Sequence, residues 1–416
     1  MSFKTSLGFG TALTAMAAAV SVQAADLPSK KAAPVSYVQT CPVSGDNFFT
    51  IPGTQTCLRI GGQVRAEYRY FETLWDAPGN GRNQHAIGFR ALGRLNVDAR
   101  TRTDAGLLRT FFRYNVLGDT GNYGAGTKLG LDKAFIQWAG VTAGRAGSFF
   151  DFYANDLSYS AVAGSDNGSV NLLAYTASFG AFSASLALEE RTQRDSFGGN
   201  LLAAGMRMPD IVAALRYDNE KGVLSAAQLS VAAHEVRVRN RDLLGNFIDT
   251  EYGYAIQGGV KLNLPMIAAG DVLWLQAAYS EGNLSYTGAT NVPTSLGALG
   301  LGQSDGAVIN GGIKLTKSWS AIAAFQHYWT PNVRSGVFGS FLSIDYPAQG
   351  AAVAGLTDTK VWSAGTNLIW SPVSDFEIGG EVLYTFVDPK GRINLPVGSR
   401  GDEDAWEGRL RIVRSF

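Results

Sequence analysis

Apolar and polar side chains alternate along most of this chain. In its last twelve residues, AWEGRLRIVRSF, Trp406, Gly408, Leu410, Ile412 and Phe416 share one parity, while Glu407, Arg409, Arg411 and Ser415 share the other. A period of two marks a strand, whose successive side chains point to opposite faces. A strand in water hides its apolar face against a core. Here the alternation returns along almost the whole chain, with too many charges on the second face for a packed interior. A closed barrel reconciles the two faces: apolar residues meet lipid and charged residues line a water-filled lumen. The expected fold is all-β, a 16-stranded antiparallel transmembrane β-barrel.

Sixteen alternating segments run from Cys57 to Phe416. The first three are CLRIGGQVRAEYRYFE, AIGFRALGRLNVDARTRT and LLRTFFRYNVL. AVINGGIKL is read as the twelfth, WSAIAAFQHYW as the thirteenth and KVWSAGTNLIW as the fourteenth; FEIGGEVLYTF and AWEGRLRIVRSF close the series. Strand plus connection then averages about 24 residues, a normal spacing for such barrels. Connections after even-numbered segments are short: TDAG, AGV, FGAF, DNEKG, PMIAAGD, LTKSW and SPVSD. The others are long, polar and Gly-rich. Short turns on the periplasmic side with long loops outside give this rhythm. Aromatics gather at strand ends, with Tyr68, Tyr70, Tyr114, Tyr252, Tyr254, Tyr279, Tyr384, Phe386 and Trp406 toward the outer rim and Trp138, Trp370 and Phe416 toward the inner one. Rings of this kind sit at headgroup depth.

Composition narrows the classes. The 416 residues carry 35 basic and 35 acidic side chains, which argues against a nucleic-acid partner. Fifty glycines and 11% aromatics suit many turns and strands better than a bundle of membrane helices. Residues 1–24 read as a signal peptide, with Lys4 before an apolar stretch from Leu13 to Val22 and a small-residue cleavage motif at Val22–Ala24. Residues 25–56 read as a periplasmic tail and lead-in to the first strand, and 57–416 as the barrel. Cys41 and Cys57 are the two cysteines. An oxidising periplasm favours a disulfide over two free thiols, stabilising the fold by roughly 3 kcal/mol in the chain-entropy model. No metal site and no cofactor are expected, because three histidines serve the whole chain and none lies near the cysteines.

The inward parity of the first three segments and the last is rich in arginine. Arg59, Gln63, Arg65, Glu67 and Arg69 share it in the first; Arg90, Arg94, Asn96, Asp98, Arg100 and Arg102 in the second. Arg109, Arg113 and Asn115 follow in the third, and Arg409 and Arg411 join by closure. Counted from strand ends, Arg65, Arg69, Arg94, Arg109, Arg113 and Arg409 are expected at mid-height as a basic wall. The connection after the fifth segment, FFDFYANDLSYSAVAGSDNGSVN, carries Asp151, Asp156 and Asp166. Folded into the barrel as a constriction loop, it would set acids against arginines and create a transverse field. The plainer reading is a solvated surface loop. The inward one is preferred because sixteen strands otherwise enclose a wide, unselective hole.

These residues resemble a family. FFTIPGTQTCLRIGGQVRAEYRY, preceded by Cys41, is similar to the N-terminal signature of alphaproteobacterial general porins; GRAGSFFDFY resembles the start of their constriction loop and GRLRIVRSF their terminal strand. The resemblance implies a homotrimer in the bacterial outer membrane, in contact with lipid and lipopolysaccharide, passing small hydrophilic molecules by passive diffusion. It implies the Cys41–Cys57 pairing too, and attachment of Ala25 to peptidoglycan. Small outward residues near the closure, Gly62, Ala66, Ala91, Gly93, Ala99 and Gly408, mark an expected subunit interface. A substrate-specific channel for sugars or anions is the alternative; it usually shows a run of inward aromatics, and here these are few, with Phe111 and Phe135 the main candidates. An enzyme is not expected: a lipid hydrolase needs a serine–histidine pair at the rim. His85, His234 and His327, read as lying in or near outer loops, have no nucleophile context. Charge balance alone does not decide between cation and anion preference.

Overall fold

The computed structural model describes residues 40–41, 47–72, 85–165, 168–192, 194–291, 303–347, 356–390, 393–395 and 398–416. The expected signal segment, Ala25 and Asp166 lie outside them. Sixteen antiparallel strands each pair with their chain neighbours. The first four are β1 (Thr56–Phe71), β2 (Ile87–Thr103), β3 (Gly106–Gly121) and β4 (Gly126–Trp138). Next come β5 (Val141–Gly147), β6 (Ser169–Phe179), β7 (Phe182–Glu189) and β8 (Asp210–Asp218). β9 (Leu224–Val236), β10 (Glu251–Asn263), β11 (Val272–Glu281) and β12 (Lys317–Thr330) follow. β13 (Val333–Asp345), β14 (Thr359–Val373), β15 (Phe376–Pro389) and β16 (Glu403–Ser415) complete the series.

Closure joins β16 to β1 from Gln63 opposite Ser415 to Phe71 opposite Glu407. The terminal Phe416 extends that seam: its N–H donates to the Gly62 carbonyl and its carbonyl accepts from the Gly62 N–H. A Cβ on Gly62 would clash with the Arg94 carbonyl oxygen and fall 2.7 Å from the Phe416 ring, so glycine is required there. Gly62, expected as open interface surface, is therefore covered by the chain's own end. Every strand edge is consumed, which a hydrocarbon environment demands.

The outward face is apolar and open. Val64, Leu129, Leu173, Leu186, Leu229 and Leu368 are all more than half exposed, a continuous apolar surface far larger than a soluble protein presents. Taking the short turns as periplasmic, aromatics form two bands. Tyr68 meets Phe89, Tyr384 meets Trp406, and Phe341 touches Trp319 and Trp362 toward the outside. Phe182 packs between Phe179 and Tyr217 toward the periplasm. Among the described residues no helix is long and apolar enough to cross a membrane.

Two expected segments change. AVINGGIKL is not a barrel strand: Gly306–Ile309 folds back on Gly312–Leu315 as a hairpin within the external connection between β11 and β12. Asn310 and Gly311, at φ 49° and 77°, form a two-residue turn that splits the segment. Conversely VRSGVFGSFLSID, read as part of a connection, is β13, paired along its length with β12 and β14. Its inward Phe338 and Leu342 are buried under loops, so its inward face does not read as polar and the alternation is lost. The two errors cancel in the strand count. They do reverse β12, whose periplasmic turn is Pro331–Asn332 and not LTKSW. His327 consequently sits at the periplasmic end, with Nδ1 2.7 Å from Asp271 Oδ2, and away from the outer loops.

Candidate functional site

The described part of the connection between β5 and β6, residues 148–165, turns into the barrel and lies against the inner faces of β9 to β16. An irregular segment inside a barrel must find partners for its own N–H and C=O groups. Inward amides supply them. Gln228 Nε2 donates to the carbonyls of Phe149, Phe150 and Asp151, each at 3.2 Å. Gln257 Nε2 donates to the Phe150 carbonyl at 2.8 Å, and Tyr153 N–H donates to Gln276 Oε1 at 2.9 Å. Further along, Ala163 N–H reaches Ser340 Oγ at 3.0 Å, and Asn367 Nδ2 donates to the Leu157 carbonyl at 2.7 Å. The Glu381 carboxylate accepts from Tyr159 N–H and Ser160 N–H, both at 2.6 Å. Apolar contacts finish the seat: Phe150 and Tyr153 are fully buried, and Phe152 and Tyr153 pack on Trp274.

The opposite wall, on β1 to β4 and β16, holds the arginines, interleaved with carboxylates. Glu67, 1% exposed, takes a hydrogen bond from Arg411 Nε at 2.6 Å and stands 3.5 Å from Arg409 and 3.7 Å from Arg65. The Tyr123 hydroxyl donates to it as well. Glu407 holds Arg69 at 3.1 Å and Arg409 at 2.5 Å. Asp119 makes a two-pronged bond with Arg90, the geometry a planar guanidinium favours. Asp132 lies 3.7 Å from Arg94 and 3.6 Å from Arg113. A bulge in β4 puts it there: the register against β3 slips where Arg113 faces Lys133 and Tyr114 faces Leu131, leaving Asp132 unpaired by backbone and free to turn inward.

The predicted residues that fall within the described region can now be placed. Arg65, Arg69, Arg94, Arg113 and Arg409 stand on the inner wall among these carboxylates. Arg409 Nη1 reaches across to the Tyr159 carbonyl at 2.7 Å, and Arg411 stacks 3.9 Å from the Tyr159 ring, so wall and loop touch at β16. Arg109 lies lower than expected. It pairs with Asp98 and Gln137 close to the β2–β3 turn, beside Arg59 and Arg100, which also meet Asp98. Phe48 of the lead-in stacks under Arg59 and Arg100, held beside the Cys41–Cys57 disulfide. The loop acids diverge. Asp156 is exposed and shares a cavity of about 430 Å³ with Arg65, Arg334, Glu377 and Arg411. Asp151 accepts from Ser165 Oγ at 2.5 Å and lies 3.8 Å from the buried Arg194 of an external loop. Asp166 lies outside the described residues.

Several residues escaped the sequence. Asp132 breaks parity through the bulge. Arg334, paired with Glu377 at 2.7 Å, belongs to the strand that was not recognised. Gln228, Gln257 and Gln276 share inward parity on consecutive strands, a signal that was legible but carries no charge to draw the eye.

With this geometry in view, the comparisons with known proteins are consistent with one another. A family model described as "Porin subfamily" matches residues 26–408. Porin Omp2b of Brucella suis is 29% identical over 426 residues, covering 99% of this chain and 98% of its own length. Porin Omp2b of Brucella melitensis is 30% identical with the same coverage. Among solved structures, the outer membrane channel DcaP of Acinetobacter baumannii superposes with a TM-score of 0.61 at 17% identity, covering 87% of this chain and 97% of that one. The anion-selective porin from Comamonas acidovorans gives 0.53 at 14% identity, covering 87% and 100%. These two likenesses speak for the fold.

Proposed function

Because this chain belongs to the porin subfamily and is an outer-membrane porin channel on a multi-pass β-barrel, we propose that it is a general diffusion pore for small hydrophilic solutes and ions. The observation that carries this is the hydrogen-bonded crossing loop, which narrows the lumen against a charged wall with no ladder of lumen-facing aromatics among the described residues. Phe111 and Phe135 stack on each other at 5.3 Å beside Arg109, a local pair and not a track. On this reading Arg65, Arg69, Arg94, Arg113 and Arg409 with their carboxylates form one side of a charge-sorting section, Asp156 contributes from the loop, and Arg109 belongs to the periplasmic vestibule. Liposome swelling with uncharged sugars of rising size should show permeation falling with size and not saturating with concentration. Saturable flux, or block by one solute at low concentration, would replace this reading with a substrate-specific channel. The excess of arginine over carboxylate on β1–β3 and β16 favours anions for that second reading.

The finer features follow as part of the same proposal. Residues 1–24 serve as the export signal, the mature tail from Ala25 is a candidate for peptidoglycan attachment, and lipid with lipopolysaccharide surrounds the barrel. Muropeptide-free Ala25 in muramidase-digested envelopes would remove the attachment. The protomers assemble as homotrimers through β16 to β3, where Ala66, Ala91 and Gly93 are exposed and allow close approach. Nothing within the barrel lies within 4 Å of a Cβ on Gly93, so Gly93→Trp should leave the protomer folded and weaken the oligomer in native gels. An unaltered oligomer would count against this interface.

A further inference from the structure

The external loop 190–209 buries two arginines completely, Arg191 and Arg194. Burying a guanidinium is costly unless it meets opposite charge, so what each one meets defines what the loop holds. Arg191 is used locally, with Asp195 at 3.1 Å and Glu235 at 3.4 Å. Arg194 reaches further. Its Nη2 lies 3.6 Å from Glu189 Oε2 and 3.8 Å from Asp151 Oδ1, its Nη1 is 3.5 Å from Ser285 Oγ, and its guanidinium carbon sits 4.3 Å from the centre of the Tyr286 ring. Glu189 in turn binds the root of the crossing loop, accepting from Ser148 Oγ at 2.7 Å and Phe149 N–H at 2.8 Å. Asp151 ties that root to the far end of the same loop through Ser165. Phe150 packs on Tyr286 with ring centres 4.4 Å apart. One cation therefore stands between two carboxylates that fix both ends of the segment crossing the lumen.

We infer that Arg194 is a positioning residue of the pore: from an external loop it holds the root of the crossing loop, so the bore is set partly from outside. This rests on the reading of residues 148–165 as the constriction. Removing the cation would take away the charge that stands between the buried Glu189 and the nearly buried Asp151, and the root would relieve their repulsion by moving. The contacts from Nη2 are ion-pair distances, longer than hydrogen bonds, so charge carries them more than guanidinium geometry does. A lysine should therefore restore much of what an uncharged side chain of similar bulk loses.

The test is single-channel recording from full-length trimers of Arg194→Met, Arg194→Lys and Asp151→Asn, with the exposed Arg239→Gln as control. Arg194→Met is expected to give several-fold more frequent closures and a broadened conductance distribution. Arg194→Lys should return most openings to the parental level, and the control should match the parent throughout. Asp151→Asn keeps the arginine with Glu189 and removes only its direct charge partner within the loop, so it should show the same noise more weakly and decides the matter should Arg194→Met fail to fold. Parental conductance and gating in Arg194→Met, or in Asp151→Asn where the former does not fold, would overturn the inference. Failure of the underlying reading is distinguished by labelling Ser158→Cys, on the cavity wall, with a bulky thiol reagent. Block of current with silent Arg194 and Asp151 variants sinks this inference alone; no block sinks the constriction itself.

Discussion

The two halves of the lumen wall handle polar groups in opposite ways. On β9 to β15 the inward side chains are mostly neutral amides and hydroxyls, many spent on the backbone of the crossing loop, with Glu381, Lys261 and the Arg334–Glu377 pair as charged exceptions. On β1 to β4 and β16 they are arginines and carboxylates spent on one another and left facing water. The amide wall is a seat, since neutral donors and acceptors satisfy a buried backbone without bringing unbalanced charge. The ionic wall is a field, since guanidinium groups stay charged without help and need no dry environment. Only the second can sort permeating ions. Only the first can hold the segment that brings them near.

The largest expected effect comes from breaking the seat at its charged point. Glu381→Ala leaves two backbone N–H groups without their acceptor, each worth about 1–3 kcal/mol when bonded to a charged partner. Unfolding in detergent should shift to lower temperature and open-channel noise should rise; an unchanged melting curve would mean the loop is held elsewhere. On the ionic wall, Asp132→Asn removes the acid shared by Arg94 and Arg113 with little effect on stability. Reversal potentials in a salt gradient should move toward anions, more at low ionic strength than high, because these partly exposed groups are screened by salt. No movement would place these arginines off the permeation path.

A smaller contrast separates the two loop acids. Asp156→Asn should move reversal potential toward anions, while Asp151→Asn should leave it in place, because Asp151 is engaged with Ser165 and Arg194. Equal shifts would erase the distinction drawn here between field and seat.

The smallest effect is on pH. Asp305, fully buried in the external loops, accepts from Ser196 N–H at 2.6 Å and Leu284 N–H at 2.8 Å, and burial pushes its carboxyl up to about 7, against the nearby His234. A carboxyl with its folded pKa above the unfolded value binds its proton more tightly when folded. Its contribution is full below about pH 4 and fades as pH rises through 7. Protease cutting in residues 196–209 and 284–305 of the folded protein should thus be faster at pH 8 than at pH 5, and Asp305→Asn should remove most of the difference. Faster cutting at pH 5 would reverse the assignment.

Much of this was legible in advance where the pattern is local. The facing of β1, β2, β3 and β16 followed from parity alone, and Arg65, Arg69, Arg94, Arg113 and Arg409 stand on the inner wall as that parity required. Arg109 was set too high because strand ends, and not side-chain parity, fixed its expected depth. Parity failed at Asp132, where a bulge shifts it by one residue, and at β13, whose inward Phe338 and Leu342 face packed loops in place of water. The hairpin at Gly306–Leu315 had the right alternation in the wrong place: a pair of short strands satisfies a period of two as well as one long one.

By itself, then, the sequence determined which faces meet lipid and which meet water, that the chain closes through its terminal phenylalanine strand, and that one wall is rich in arginine. Those properties depend on residues two apart in the chain and on a solvent that differs across the sheet, so they are written locally. Tertiary structure decided which carboxylate neutralises which arginine, that Asp156 meets the cavity while Asp151 turns to Arg194, and that neutral glutamines seat the crossing loop. Those depend on register between strands and on contacts between residues from about ten to more than three hundred apart in the chain, where a shift of one position changes every partner.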